Sequence, residues 1–144
     1  MSAERRKAIP MTKREASCSC GQLQITCQDH PVRVSMCHCL ACQRRTGSTF
    51  GVQAWYARTQ LRPAQGIAKR YVRLADSGRK VTFSFCPECG GTLFWEAERN
   101  PDLIAVAVGA FADPDFERPN LSVGERRIHP WTIAIGEQPI EHAD

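Results

Sequence analysis

The chain has 144 residues and a mass of 16.1 kDa, which is the size of one typical domain. Hydrophobic residues make up 42% of it, yet no apolar run approaches the roughly 18 residues of a membrane-spanning helix. Its formal net charge of +4 is too small for the basic surface of a nucleic-acid-binding domain. We therefore expect one domain that binds neither membranes nor nucleic acid.

The first seventeen residues, "MSAERRKAIPMTKREAS", carry five Lys and Arg but no apolar stretch of the kind that a signal peptide needs. We expect residues 1–16 to be a flexible basic tail and residues 17–144 to be the folded domain. Without an export signal, the predicted location is the cytoplasm, where thiols stay reduced. We therefore expect the cysteines of the chain to be free thiols or metal ligands and not disulfides.

Alternating apolar and polar residues predict a β-strand directly after the tail. The segment "QLQITC" places Leu23, Ile25 and Cys27 on one face and polar residues on the other. The segment "VRVSMC" repeats the pattern, with its alternate residues from Val32 onward directed inward. Two half-buried strands are therefore predicted here.

Further strands are predicted along the rest of the chain. They are "FGVQAWYA", a hairpin in "AKRYVRLADSGRKVTFSFC" that turns at residues 76–78, "GTLFWEA", "DLIAVAVGAF" and "WTIAIG". Short helical turns are predicted at Ala41–Arg45 and around Pro114–Glu117, and no helical pattern reaches ten residues. The predicted fold class is a mostly β, loop-rich single domain with short helical turns only.

The eight cysteines are the main chemical signal of the sequence. Seven of them fall in C-x-C or C-x-x-C units, a spacing that favours metal binding over disulfides in a reducing compartment. The eight are Cys18, Cys20, Cys27, Cys37, Cys39, Cys42, Cys86 and Cys89. We expect zinc, which thiolates bind in tetrahedral sites.

The segment "FCPECGGTL" has the form of a zinc knuckle. Cys86 and Cys89 bracket a tight turn, and Gly90 permits the left-handed backbone that such a turn often requires. A knuckle supplies two ligands, so a second pair must come from Cys18 with Cys20, or from two of the cysteines at positions 37, 39 and 42.

The three thiols Cys37, Cys39 and Cys42 are close enough in sequence to bind one ion by themselves. The remaining paired thiols then form a closed structural zinc site: Cys18, Cys20, Cys86 and Cys89. The three-thiol site keeps an open coordination position, which is typical of catalytic zinc. Cys27, on the apolar face of its strand, is interpreted as a buried core residue, with a role as fourth ligand of the second zinc as the alternative.

Three neighbours of the three-thiol site are candidates for supporting roles. His38 would orient the site by a hydrogen bond or move a proton, or it has a plain structural role. Arg44 and Arg45 would offset the negative charge of three thiolates and reach the carboxylate of a thiol substrate, or they are ordinary exposed charges.

The motifs "CSCG", "CHCLACQRRTG" and "FCPECGGTL", in this order, resemble the glutathione-dependent formaldehyde-activating enzyme family, which also contains centromere protein V. The resemblance runs from Cys18 to Gly91 and continues more loosely through "SVGERRIHPW". It implies a β-tent fold with two zinc ions per chain, one held by four cysteines and one by the three cysteines of "CHCLAC".

The resemblance also implies an activity. The expected enzyme is a carbon–sulfur lyase of the S-hydroxymethylglutathione synthase type, which condenses glutathione or a similar thiol with formaldehyde or another small aldehyde, or catalyses the reverse. Its partners would be a small-molecule thiol and an aldehyde, with glutathione as co-substrate. The alternative is a zinc-stabilised, non-catalytic binding or adaptor module that uses the basic tail and exposed arginines such as Arg126 and Arg127.

Overall fold

A computed structural model describes residues 12–132 and 140–143 of the protein. The strands are β1 (Lys13–Ser17), β2 (Gln24–Gln28), β3 (Arg33–Cys37), β4 (Gly51–Ala57), β5 (Lys69–Leu74), β6 (Lys80–Phe85), β7 (Thr92–Ala97), β8 (Leu103–Ala107), β9 (Leu121–Val123) and β10 (Glu141–Ala143). One α-helix, α1 (Leu40–Thr46), and 3₁₀ turns at Arg58–Gln60, Val108–Phe111 and Glu125–Arg127 complete the described elements. The mostly β prediction is confirmed. No helix in the described part of the chain is long and apolar enough to span a bilayer.

The strands form two sheets. Strands β1 and β2 pair as an antiparallel hairpin, and the other eight form one sheet in the order β10-β9-β3-β4-β8-β7-β6-β5. Strand β9 runs parallel to both β3 and β10, whereas the pairs from β3 through β5 along the sheet are antiparallel. Strand β5 lies at one edge of the large sheet.

The predicted strand faces are largely confirmed. Leu23, Ile25 and Cys27 are all buried in the core, as the alternation predicted. Met36 of β3 is buried too, but Val32 is 60% exposed. The inward placement predicted for Val32 is wrong because β3 begins only at the next residue, so Val32 lies in the connection that precedes the sheet.

The predicted hairpin is confirmed as β5 and β6. The two strands pair along their whole length, from Lys69 opposite Phe85 to Leu74 opposite Lys80. The turn between them closes with a hydrogen bond from the Gly78 amide to the Ala75 carbonyl, 2.8 Å long. Turn-forming residues between two alternating segments therefore specified this hairpin correctly.

One of the two predicted helical turns is confirmed and the other is wrong, and most of one predicted strand lies outside the described residues. Helix α1 covers the predicted Ala41–Arg45, but Pro114–Glu117 forms only a turn and bends, without a helix. That segment contains Pro114 and Asp115, two residue types that favour turns over helices. Of the predicted strand "WTIAIG", residues 133–136 lie outside the described residues.

The N-terminal hairpin extends further towards the start of the chain than the sequence suggested. Strand β1 begins at Lys13, so the predicted boundary between residues 16 and 17 falls inside a strand. Arg14 of this strand forms a two-pronged ion pair with Glu117, 103 residues away, and its guanidinium lies 4.5 Å from the ring centroid of Phe116. These contacts join the hairpin to the loop before β9. Residues 1–11 of the predicted tail lie outside the described residues.

The large sheet has two apolar faces. One face carries Val34, Tyr56 and Val106, which pack with buried residues of the β1–β2 hairpin to form the main core. The other face carries a second cluster, whose buried members are Trp55, Val81, Phe83, Trp95 and Ala105. These residues share a face because they are direct or neighbouring cross-strand partners in β4, β8, β7 and β6.

The ion pair between Arg14 and Glu117 makes the free energy of unfolding depend on pH. Hydrogen bonds from Arg14 lower the pKa of Glu117 to about 2 from its ordinary value of 4.5, with burial opposing and His30 assisting. Because the folded-state pKa is the lower one, this contribution is present above about pH 4.5 and is lost as the pH falls towards 2.

We expect Glu117→Gln to lower the free energy of unfolding at pH 7 by about 1 kcal/mol, as for a partly exposed ion pair. The difference from the wild type should shrink below pH 4.5. Urea unfolding between about pH 2.5 and pH 7 measures it. Glu15→Gln, at an exposed position of the same hairpin, is the control and should change little. Equal losses in both variants would contradict a specific role for the Arg14 pair.

Candidate functional site

The first candidate metal centre joins the β1–β2 turn to the β6–β7 turn. The structure brings together the sulfurs of Cys18, Cys20, Cys86 and Cys89, all within 4.8 Å of one another. The Cys18–Cys20 and Cys20–Cys86 sulfur distances are both 3.6 Å. Tetrahedral zinc with Zn–S bonds of about 2.3 Å separates sulfurs by roughly 3.8 Å, so these four residues fit a closed zinc site.

Polar groups around this cluster favour thiolates. The side-chain amide of Gln22 donates to the Cys86 sulfur at 3.0 Å, and the backbone amide of Glu88 donates at 3.3 Å. Although burial raises it, these hydrogen bonds lower the pKa of Cys86 to about 6. Gly90 closes the turn with φ +77°, the left-handed conformation that the sequence predicted for the residue after the second cysteine.

The second candidate metal centre lies where β3 runs into helix α1. Cys37 ends β3, Cys39 caps the helix by accepting a hydrogen bond from the Cys42 amide at 3.4 Å, and Cys42 lies in the first turn. Their three sulfurs also lie within 4.8 Å of one another, and all three residues are half-buried. The helix approaches β4 so closely that a Cβ on Gly51 would lie 2.5 Å from Nη2 of Arg45.

The three sulfurs lie close enough to form hydrogen bonds with one another, and these contacts shift the pKa values of Cys37 and Cys39 in opposite directions. Hydrogen bonds from the sulfurs of Cys37 and Cys42 hold the pKa of the Cys39 thiol far below its ordinary value, burial opposes this, and the charge of Arg73 adds to the lowering. The pKa of Cys37 is raised correspondingly by the same contacts and by burial. A negative charge is therefore already favoured on the cluster, which suits a cation-binding role.

The fourth ligand considered for this centre, Cys27, is not part of it. Cys27 is fully buried in the main core, and burial raises its pKa to about 12. Its sulfur belongs to neither candidate cluster. Within the part of the chain that the structure describes, the second centre therefore has three candidate sulfur ligands, and the core interpretation of Cys27 is the one that its position supports.

His38 faces away from the cysteines on either side of it. Its side chain is buried, with Nε2 3.0 Å from the hydroxyl of Ser122 and the ring 5.7 Å from that of Phe50. Ser122 pairs with Met36 in the sheet, on the opposite face from Cys37. Of the two roles left open by the sequence, this placement favours the structural one.

Two neighbouring cavities lie on the second face of the sheet, and the smaller one adjoins the three-cysteine cluster. A cavity of about 330 Å³ is lined by residues that include Cys37, Cys39, Cys42, Gln53, Trp55, Arg73 and Trp95. A neighbouring cavity of about 510 Å³ is lined by residues that include Arg44, Arg45, Tyr71, Arg73, Phe83 and Phe85. The cluster thus faces a concave space of the size of a small-molecule site, whose lining includes two tryptophans and several basic side chains.

Arginine side chains cover the aromatic rings of this face. The guanidinium carbon of Arg45 lies 4.2 Å from the Trp95 ring centroid, and those of Arg33 and Arg73 lie 5.4 Å and 5.7 Å from the rings of Trp55 and Phe83. Such cation–π contacts hold positive charge beside the thiols. Of the two arginines that the sequence singled out, Arg45 lies in this layer, whereas Arg44 is exposed at the rim of the larger cavity.

Sequence reasoning did not find Gln53, Trp55, Arg73 and Trp95 as site residues. They lie on β4, β5 and β7, far from the cysteines in sequence, and they reach the site only through the strand order of the sheet. The one signal in the sequence was alternation, which assigns Gln53 and Trp55 to a common face without saying what that face meets.

Fold and site together define a mostly β protein with one closed cysteine cluster and one cysteine cluster that opens onto a cavity. The family model described as glutathione-dependent formaldehyde-activating enzyme matches residues 13–127, and the chain belongs to that family. The match begins at the first residue of β1.

A solved structure has a related fold. A crystal structure of a Rhodobacter sphaeroides protein superposes with a TM-score of 0.53 at 21% sequence identity, covering 67% of this chain and 85% of that one. At this identity the likeness concerns the fold alone. No curated protein matches the chain.

The two centres should differ in what they contribute to stability. The four-cysteine cluster closes a loop of at least 66 residues, whereas the three-cysteine cluster lies within one short segment. We expect Cys86→Ser to be insoluble or molten, and Cys42→Ser to fold with one zinc ion in place of two.

Metal analysis together with thermal unfolding checks this prediction. Cys27→Ala is the matched control, a cysteine outside both clusters, and should keep two zinc ions while losing about 1–2 kcal/mol of stability. If Cys42→Ser unfolded as completely as Cys86→Ser, the second metal would be structural and the open-site interpretation would fail.

Proposed function

We propose that the protein is a zinc-dependent enzyme of the carbon–sulfur lyase type, which condenses glutathione or a similar thiol with formaldehyde or another small aldehyde, or catalyses the reverse. The observation that carries this proposal is the three-cysteine cluster, which opens onto a cavity and has no fourth sulfur among the described residues. Family membership supports the same thiol and aldehyde chemistry.

The two cysteine clusters are proposed to bind one zinc ion each. The donor sets fit this, because thiolate sulfurs are preferred zinc ligands and a three-ligand site leaves a position for substrate. A zinc ion bound by Cys37, Cys39 and Cys42 would supply a position where a thiol is held as thiolate at neutral pH. The other centre, with Cys18, Cys20, Cys86 and Cys89, would be structural.

The reaction itself makes modest demands on the protein. A bond forms between the thiol sulfur and the carbonyl carbon as the π bond of the carbonyl breaks, and the proton that the thiol gives up is taken by the carbonyl oxygen, which becomes a hydroxyl. The reverse reaction breaks the carbon–sulfur bond and returns the proton to sulfur. The Gln53 side chain is suited to bind that hydroxyl. Its amide nitrogen donates to the Ser35 hydroxyl at 3.0 Å, whereas its buried Oε1 has no hydrogen-bond partner and is available to accept one.

The tryptophans of the smaller cavity would exclude water from the reacting groups, and the nearby arginines would offset negative charge. Trp55 and Trp95 line the smaller cavity and limit the water around a bound thiolate and aldehyde. The charge of Arg45 acts on the Cys42 sulfur and offsets part of the excess negative charge of three thiolates. Arg44, exposed at the rim of the larger cavity, is proposed as a contact for the outer part of a thiol substrate together with Arg45.

Exchange NMR with ¹³C-formaldehyde and glutathione tests the proposal, because it measures interconversion with S-hydroxymethylglutathione at equilibrium. We expect the zinc-loaded protein to raise the exchange rate above that of the uncatalysed reaction. Cys42→Ser should return it to the uncatalysed rate, and Cys27→Ala should retain the acceleration. No acceleration by the wild type, or an unchanged rate in Cys42→Ser, would refute the assignment.

A further inference from the structure

Arg73 is an inward-turned cation on an otherwise exposed strand. It lies on β5, the edge strand of the large sheet, where Tyr71, Val72 and Leu74 are each at least half exposed. Arg73 itself is half-buried, with its guanidinium carbon 5.7 Å from the ring centroid of Phe83. The side chain therefore extends over the aromatic face of the sheet and not into solvent.

The hydrogen-bonding capacity of this guanidinium is not fully used within the part of the chain that the structure describes. No carboxylate in the described part of the chain forms an ion pair with Arg73, and its buried Nε atom has no hydrogen-bond partner. An unpaired buried donor on a charged group is costly, and a planar guanidinium matches the two oxygens of a carboxylate. The site has room for such a group, because Arg73 lines both cavities.

Arg73 also lies close to the three-cysteine cluster, where it could contact a substrate bound there. It lines the same small cavity as the three cysteines, and its charge acts on the Cys39 sulfur. Arg45 differs, since it lines the larger cavity but not the smaller one, and its guanidinium carbon lies 4.2 Å from the ring centroid of Trp95. Arg79, Lys80 and Arg99 line only the smaller cavity, so Arg73 is the one basic residue among the described residues that lines both cavities.

We propose that Arg73 binds a carboxylate of the thiol substrate and thereby selects anionic thiols over uncharged ones. This rests on the proposed function, because it assumes that the substrate sulfur occupies the three-cysteine cluster. The carboxylate would lie at the junction of the two cavities, and the rest of the substrate would extend into the larger one, towards Arg44. Arg73 is thus a residue that determines specificity and does not touch the reacting carbon.

Binding of S-methylglutathione to the zinc-loaded protein tests this without any turnover, because the probe carries the carboxylates but no free thiol. Calorimetry should show binding that is about tenfold or more weaker in Arg73→Gln, as expected for the loss of a charge-assisted hydrogen bond. Arg73→Lys should recover part of the loss. The diethyl ester of the probe should bind the wild type and Arg73→Gln equally weakly.

Arg70→Gln is the matched control, an exposed arginine on the same strand. It should bind S-methylglutathione as the wild type does, and all variants should keep the zinc content and unfolding temperature of the wild type. Undetectable binding by the wild type, equal binding by Arg73→Gln, or an equal loss in Arg70→Gln would overturn the proposal.

A kinetic comparison separates this proposal from the proposed function. With formaldehyde as the aldehyde, Arg73→Gln should raise the KM for glutathione about tenfold and leave the KM for 2-mercaptoethanol within twofold. Turnover of glutathione that is unaffected by Arg73→Gln would refute the role of Arg73 while the enzyme assignment stands. Arg73-dependent binding of S-methylglutathione without turnover would support the carboxylate site and refute the lyase assignment.

Discussion

The large sheet has two apolar faces, and the need to cover both determines where the site lies. The β1–β2 hairpin covers one face and forms the main core with it. On the other face, the rings of Trp55, Trp95 and Phe83 are covered by arginine side chains and by the segment that carries the three cysteines. A layer of cations over aromatic rings is stable, yet it leaves cavities that a second layer of strands would fill. The proposed active site occupies those cavities.

The two cysteine clusters are coupled through one turn. The four-cysteine cluster fixes the turn between β6 and β7, and Gly90 in this turn, together with Thr92 just after it, lines the cavity that contains Arg45. A further cavity of about 470 Å³ is lined by residues of both regions, including Arg45 and Cys89. A structural metal at the first cluster would therefore also position one wall of the site at the second.

Local features were predictable from the sequence, and features that depend on strand order were not. The cysteine groups, the β5–β6 hairpin and helix α1 follow from residues close in sequence, where spacing and turn chemistry are informative. Arg73 escaped prediction because β6, β7, β8 and β4 separate β5 from β3, the strand that ends in Cys37, and alternation does not encode this order. His38 was placed beside the metal by its position in the chain, but the alternation of β3 turns its side chain to Ser122.

X-ray absorption at the zinc edge of the wild-type protein tests the central claim, that one centre is closed and the other open. Seven cysteine sulfurs shared by two ions correspond to about 3.5 sulfurs per zinc. The account predicts this value in the free protein and a rise towards four sulfurs per zinc when glutathione is added. Four sulfurs per zinc before any thiol is added, or no change on its addition, would contradict it.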